Sequence, residues 1–392
     1  LKFKSGDEKN LFGKANLQPV AAAMLTRGTK TMTRSEIEDR MTELKMAGSI
    51  TNFTTTRKNL PAALELVFDA MHNSIMPQDE FDQFKKQMQV MIESMRDKPD
   101  ALAQNAITQH FNTYPKGDPR YEYSLDESLE QLNKLTVDQV RAFYKEFGGT
   151  SRGEISIVGD FDPKAVEKII RNDYAKYVSK AHYAPVVTEY RPVKATRVVI
   201  DTPDKENAII VARSVFPIND TAPDAPALTV ANWILGGGTG LSNRLIERLR
   251  QKEGLSYGAG SHVRIPAKGN NGSFVFRAIV APQNMLQAEA SARDVIAKAI
   301  KDGFTDQEVE EAKKGLLQAM QVARSQDDVV ARSWNDKMEN QRTWAFSKKQ
   351  AEAISKLTTA DVNAALRKYI KPDEITFVLA GDQKKAAQKK QD

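Results

Sequence analysis

With 392 residues, 41% hydrophobic and 28% charged, the chain is long enough for two domains of ordinary size, each burying its own core. Its 57 Lys and Arg against 51 Asp and Glu leave a net charge of +6, but apart from the tail DQKKAAQKKQD (382–392) the charges are interspersed, without the basic, aromatic-interleaved face that nucleic acid requires. Zero cysteines exclude disulfides and thiolate metal sites, and the longest apolar runs, such as VAAAML (20–25), fall short of the roughly 20 residues that span a bilayer.

The N-terminal half opens with LKFKSG (1–6), which alternates like a strand. It has no Met and no charged-then-apolar leader pattern, so a fragment or a processed product is expected. ITNFTTT (50–56) reads as a strand, and the short connection LKMAGSITNFTTT (44–56) as a place where a segment is absent. A long helix is predicted over 78–95. KLTVDQVRA (134–142) then places Thr136 as an N-cap, its hydroxyl free to accept from first-turn amides, and leads to the strand EISIVGD (154–160). Two prolines in YAPVVTEYRPVK (183–194) interrupt any regular element, which puts the boundary between domains 1–185 and 195–392.

The C-terminal half offers strands in RVVID (197–201), AIIVARSV (208–215), LSYGAGSHV (255–263) and GSFVFRAIV (272–280), with helices over 241–250 and 306–322. It closes on KLTTADVNA (356–364) and ITFVLAGD (375–382). These last two repeat the first half at one offset of 222 positions, pairing Thr136 with Thr358, Val140 with Val362, Gly159 with Gly381 and Asp160 with Asp382. DEFDQFKK (79–86) and QEVEEAKK (307–314) align at a nearby offset of 228. Each half therefore reads as one α+β domain, the first with fewer strands than the second.

Two signatures compete for the chemistry. GLSYG (254–258) fits the G-x-S-x-G of serine hydrolases, but a nucleophile elbow runs strand, serine, helix, and here a helix precedes Ser256 and a strand follows. Gly254 reads instead as a helix C′ residue and Gly258 as a strand glycine. GGGTG (236–240) lacks the Lys-Ser/Thr of a phosphate loop and reads as the end of one helix before the next. The four histidines, His72, His110, His182 and His262, never share a helical turn, as zinc ligands on one helix would.

The stretches LSNRLIERLRQKEGLSYGAGS, FTDQEVEEAKKGL and LTTADVNAALRKYIKPDEITFVLAGD closely resemble the second domain of the pitrilysin, insulin-degrading-enzyme and mitochondrial-processing-peptidase family of zinc metallopeptidases. From LFGKANLQPVAAAMLTRGT onward, the first half resembles that family's metal-bearing domain. The resemblance implies two homologous domains, each a mainly antiparallel sheet with helices on one face, forming a half-clam that closes a chamber with a second one. Active members carry H-x-x-E-H before the M-L-x-x-G-T segment. On that frame Pro19, Ala22 and Ala23 stand where His, Glu and His would be, and Glu93 falls near the third ligand. No zinc is expected in this chain; it is expected in the partner half.

The resemblance also carries the family's Arg and Tyr onto Arg250 and Tyr257, which would reach the opposite half's metal site and bind the substrate carbonyl. Guanidinium and phenol are both donors, and fixed donors aimed at a developing oxyanion are worth about 10²–10³ in kcat each. The expected function is thus the non-catalytic half, or partner subunit, of a bipartite zinc endopeptidase acting on unfolded peptides. The alternative is a scaffold or binding homologue with no protease role. A bacterial periplasm or envelope location follows from the resemblance to two-half bacterial members.

Overall fold

The computed structural model describes residues 1–238 and 243–388. Two main hydrophobic cores organise it. One gathers Met24, Leu64, Val67, Phe81, Val140 and Phe143; the other Ile210, Leu228, Phe274, Phe276, Ala292, Val362 and Phe377.

In the first half the strands are short. β1 (Lys2–Phe3) pairs with β4 (Gly153–Glu154), and β2 (Ala47–Ser49) forms a hairpin with β3 (Asn52–Thr54), each pair antiparallel. The strand read over 50–56 thus shrinks to β3. The strand read over 154–160 keeps only its first residue in a ladder; residues 155–158 run on half-buried and outside any sheet. A strand is held by its neighbours, and β1 offers two residues of pairing.

The second half builds a five-stranded sheet in the order β5 (Arg197–Asp201), β9 (Thr376–Gly381), β6 (Ala208–Pro217), β8 (Asn271–Val280), β7 (Ser256–Arg264). Only β5 and β9 run parallel; the other pairs are antiparallel. The near-continuous apolar runs of β6 and β9 mark strands buried on both faces. On β6, Ala208, Ile210 and Ala212 turn toward the helices of this half, whereas Ile209 and Val211 meet Ala103 and Ile107 of the Pro99–His110 helix. The architecture is α+β with a mainly antiparallel sheet. A helix from the first half of the sequence covers the far face, through an Ala and an Ile spaced to share one side of it.

The repeated helices start as expected. Thr136 and Thr358 each accept from the backbone three residues on, and Gln139 and Asp361 reach back to complete the capping boxes. The predicted helix over 78–95 matches Gln78–Met95, and the one over 306–322 ends a residue later, at Ala323.

Candidate functional site

The glycine-rich stretch is a packing device. The Ala225–Asn232 helix widens into a π-helical turn at Trp233–Gly237 that lies against β7. A Cβ on Gly236 would sit 2.5 Å from Ser261 Oγ and 2.7 Å from its backbone nitrogen, so only glycine permits this approach. Ser261 Oγ donates to Asn232 Oδ1 at 2.8 Å and locks the contact. Thr239 and Gly240 of that stretch, and Leu241 and Ser242 of the helix read over 241–250, lie outside the described residues.

From Asn243, whose Oδ1 accepts from the Ile246 amide at 2.9 Å, a turn of α-helix passes into a second π-helical segment, Glu247–Lys252. π-turns of this kind recur at functional sites. Leu249 anchors it in the core; Arg248 pairs with Glu253, whose other oxygen accepts from Ser291 Oγ at 2.6 Å. Arg250, in the same segment, faces solvent. Gly254, at φ +60°, reverses the chain as the expected C′ residue, and the Leu255 amide closes the turn onto Leu249 O at 2.8 Å.

Tyr257 then falls at a β-bulge on the edge strand. Ser256 opposes Val280 and Gly258 opposes Ile279, so Tyr257 opposes nothing and its side chain is 67% exposed. Bulges of this kind re-aim a side chain beside active sites. Ser256 braces the irregularity: its hydroxyl lies within 2.8 Å of Gly258 O and 2.9 Å of Ile279 O and accepts from the Gly258 amide at 3.1 Å. A serine 8% exposed, committed to backbone and without a bond to His262, is no nucleophile. Arg250 and Tyr257 each lack an ion pair or hydrogen bond among the described residues, leaving guanidinium and phenol as two open donors.

Pro19, Ala22 and Ala23 line the exposed side of the Leu17–Met24 helix, whose Ala21 and Met24 face the core. A ring and two methyl groups offer a cation no lone pair, so these residues do not fit a zinc ion. Glu93 is exposed and pairs with Arg96 at 3.2 Å. Among the described residues no group of three or more His, Cys, Asp or Glu could hold a metal. His72 stacks on Phe68, His110 bonds Lys194 O and His182 bonds Asp7. No described helix is long and apolar enough to cross a membrane.

The fold and site define a class by their residues: a repeated α+β unit whose Leu17–Met24 helix offers no metal ligand at Pro19, Ala22 or Ala23. Residues 134–316 match the family model described as "Peptidase M16 inactive domain". That stretch is just under half of the chain, and over it the chain is similar to the M16 inactive domain. Its fold is similar to the crystal structure of a peptidase M16 inactive domain from Pseudomonas fluorescens, at 21% identity and TM-score 0.81 over 97% of this chain and 91% of that one. It is also similar to the structure of the periplasmic protease PqqL from Escherichia coli, at 14% identity and TM-score 0.68, covering 97% of this chain but 42% of that one. Among curated relatives, the Helicobacter pylori protein named "Non-peptidase homolog YmxG" is 21% identical over 65% of this chain. The chain spans 58% of that relative's length.

The two irregular backbones were not legible in the sequence. The pairing of Arg250 with Tyr257 comes from the family resemblance.

Proposed function

We propose that the chain is the non-catalytic half of a bipartite zinc endopeptidase, closing a peptide chamber and lending Arg250 and Tyr257 to the substrate carbonyl. The metal and the general base belong to an H-x-x-E-H half, on the same polypeptide or a separate subunit, and the substrates are unfolded peptides. The observation that carries this reading is the pair of unpartnered donors, one on a π-helical turn and one on a bulge, joined by the Gly254 reversal. As charge builds on the carbonyl oxygen, donors already held in place stabilise it without reorganisation. The two units of the half-clam are 1–185 and 195–392, each around its own core. A bacterial periplasm or envelope location belongs to the same reading, supported by the likeness to the E. coli protein described as periplasmic.

The test mixes the chain with a metal-bearing half and follows cleavage of a quenched peptide. Arg250→Ala and Tyr257→Phe are each expected to lower kcat by about 10²–10³. Because both side chains are exposed and unpaired, melting temperatures should stay unchanged. Wild-type turnover in both variants would leave the scaffold reading, which the name of the H. pylori relative favours.

A further inference from the structure

The Pro99–His110 helix covers the far face of the large sheet over β9 and β6. Across β8 and β7 that face carries exposed side chains at Arg277, His262 and Arg264, while Val275 and Ile279 still pack partly against the helix-covered cluster. Strand alternation assigns it Arg213, Arg277, His262 and Arg264, since the neighbours Ala212, Phe276 and Val263 turn into the helix-covered core. Arg213 of β6 and His262 of β7 both oppose Val275, one from each side, and Arg264 opposes Ser273 of the same strand. With strands about 4.8 Å apart, the Arg213 and His262 backbones stand roughly 10 Å from each other, so their side chains can converge on one group above Val275.

Arg277 is matched by Asp100 at 2.6 Å. Arg213, His262 and Arg264 have no carboxylate within ion-pair distance and no hydrogen bond among the described residues. The Arg213 guanidinium lies 4.8 Å over the Phe111 ring, and its Nε is shielded from solvent without an acceptor. Burial, then the like charge of Arg264, push its pKa down, against a weaker opposing pull from Glu122. His262 is lowered in the same way, by burial and then by Arg213. A half-buried cation whose Nε is shielded and has no acceptor contributes less to a fold than an apolar side chain of similar size would. What the fold does not need, an anion would use.

We propose that Arg213, His262 and Arg264 form a recognition site for a carboxylate of an extended acidic peptide. Arginine suits this role because its planar fork matches a carboxylate and tolerates stacking on an aromatic ring. The peptide source follows from position: Tyr257 lies five residues upstream on the same edge strand, roughly 16 Å away, so about five extended residues would link the two sites. The proposal thus rests on the chamber reading and adds a preference for acidic residues to it.

The experiment uses the purified full chain alone and two labelled peptides that differ only in Glu against Gln, followed by fluorescence anisotropy at low salt. The Glu peptide is expected to bind at least tenfold tighter. Arg264→Met, at an exposed and unpaired position, should reduce that preference severalfold, and Arg213→Met should abolish it while holding or raising the melting temperature. Equal binding of the two peptides overturns the proposal, as does an undiminished preference in both variants. Inorganic phosphate that binds saturably while the peptides are not distinguished also overturns it, in favour of a free-anion site. Arg250→Ala should leave the Glu preference untouched. A chain that keeps the preference yet supports no cleavage with a metal-bearing half refutes the partner reading alone.

Discussion

Residues 154–160 and Thr376–Asp382 are two copies of one strand, and the molecule treats them differently. In the second copy, all six residues of β9 are buried, laddered on one side to β5 and on the other to β6. In the first, Glu154 alone pairs, residues 155–158 stay half-buried, and Ser156 Oγ is shielded without a partner. A cleft of about 930 Å³ opens beside it, walled by the β2–β3 hairpin and the Asp327–Glu339 helix. Strand propensity is a statement about fitting a half-buried pleated surface, so the same alternating run becomes core only where neighbours exist on both sides. The repeat sets what the segment can do; tertiary context decides how much of it is used.

The largest expected effect sharpens that contrast. Phe377 is 1% exposed beneath Arg293, and Phe377→Ala should cost about 3–5 kcal/mol in denaturant unfolding. Its counterpart change, Ile155→Ala, should cost about 1 kcal/mol, since a half-buried side chain holds about half of the ~1.5–3 kcal/mol of full burial. Equal losses at the two positions would break the comparison. The caps are predicted to behave alike: Thr136→Ala and Thr358→Ala should each lower stability by about 1 kcal/mol, measured as a shift in the unfolding midpoint.

The smallest effect separates the caps by pH. The first copy completes its box with neutral Gln139, the second with Asp361, whose carboxyl is held below its usual value by donation from the Thr358 hydroxyl and then from the Thr358 amide. A depressed carboxylate contributes support that is present above the ordinary value near 3.8 and lost as pH falls below it. Asp361→Asn should therefore flatten the acid limb of the stability curve slightly. Gln139→Ala should shift the curve evenly at all pH values.

Much of this was legible along the chain. The long helices, the Thr136 and Thr358 caps and every strand of the large sheet rest on short-range patterns, namely capping hydroxyls and apolar runs of the right length. The shortness of the first sheet was not, because a strand carries no record of its missing neighbour. Nor was the Pro99–His110 helix on the far face of the large sheet: Ala103 and Ile107 announce an apolar stripe, not what it will cover. The π-turn at Glu247–Lys252 arises from the fit of Leu249 and Glu253 against the core and Ser291, contacts remote in sequence. The cationic cluster did leave a signal, in His262 and Arg264 alternating with inward Ser261 and Val263, but joining it to Arg213 required the register.

The bulge on the edge strand has one more consequence. Because Ser256 already opposes Val280 and Gly258 already opposes Ile279, the rungs close over position 257 as if it were absent. Tyr257 is a spare residue to the architecture, and excising it should leave the strand in phase from end to end. A position whose removal the scaffold would not notice is free to serve something beyond the molecule's own surface.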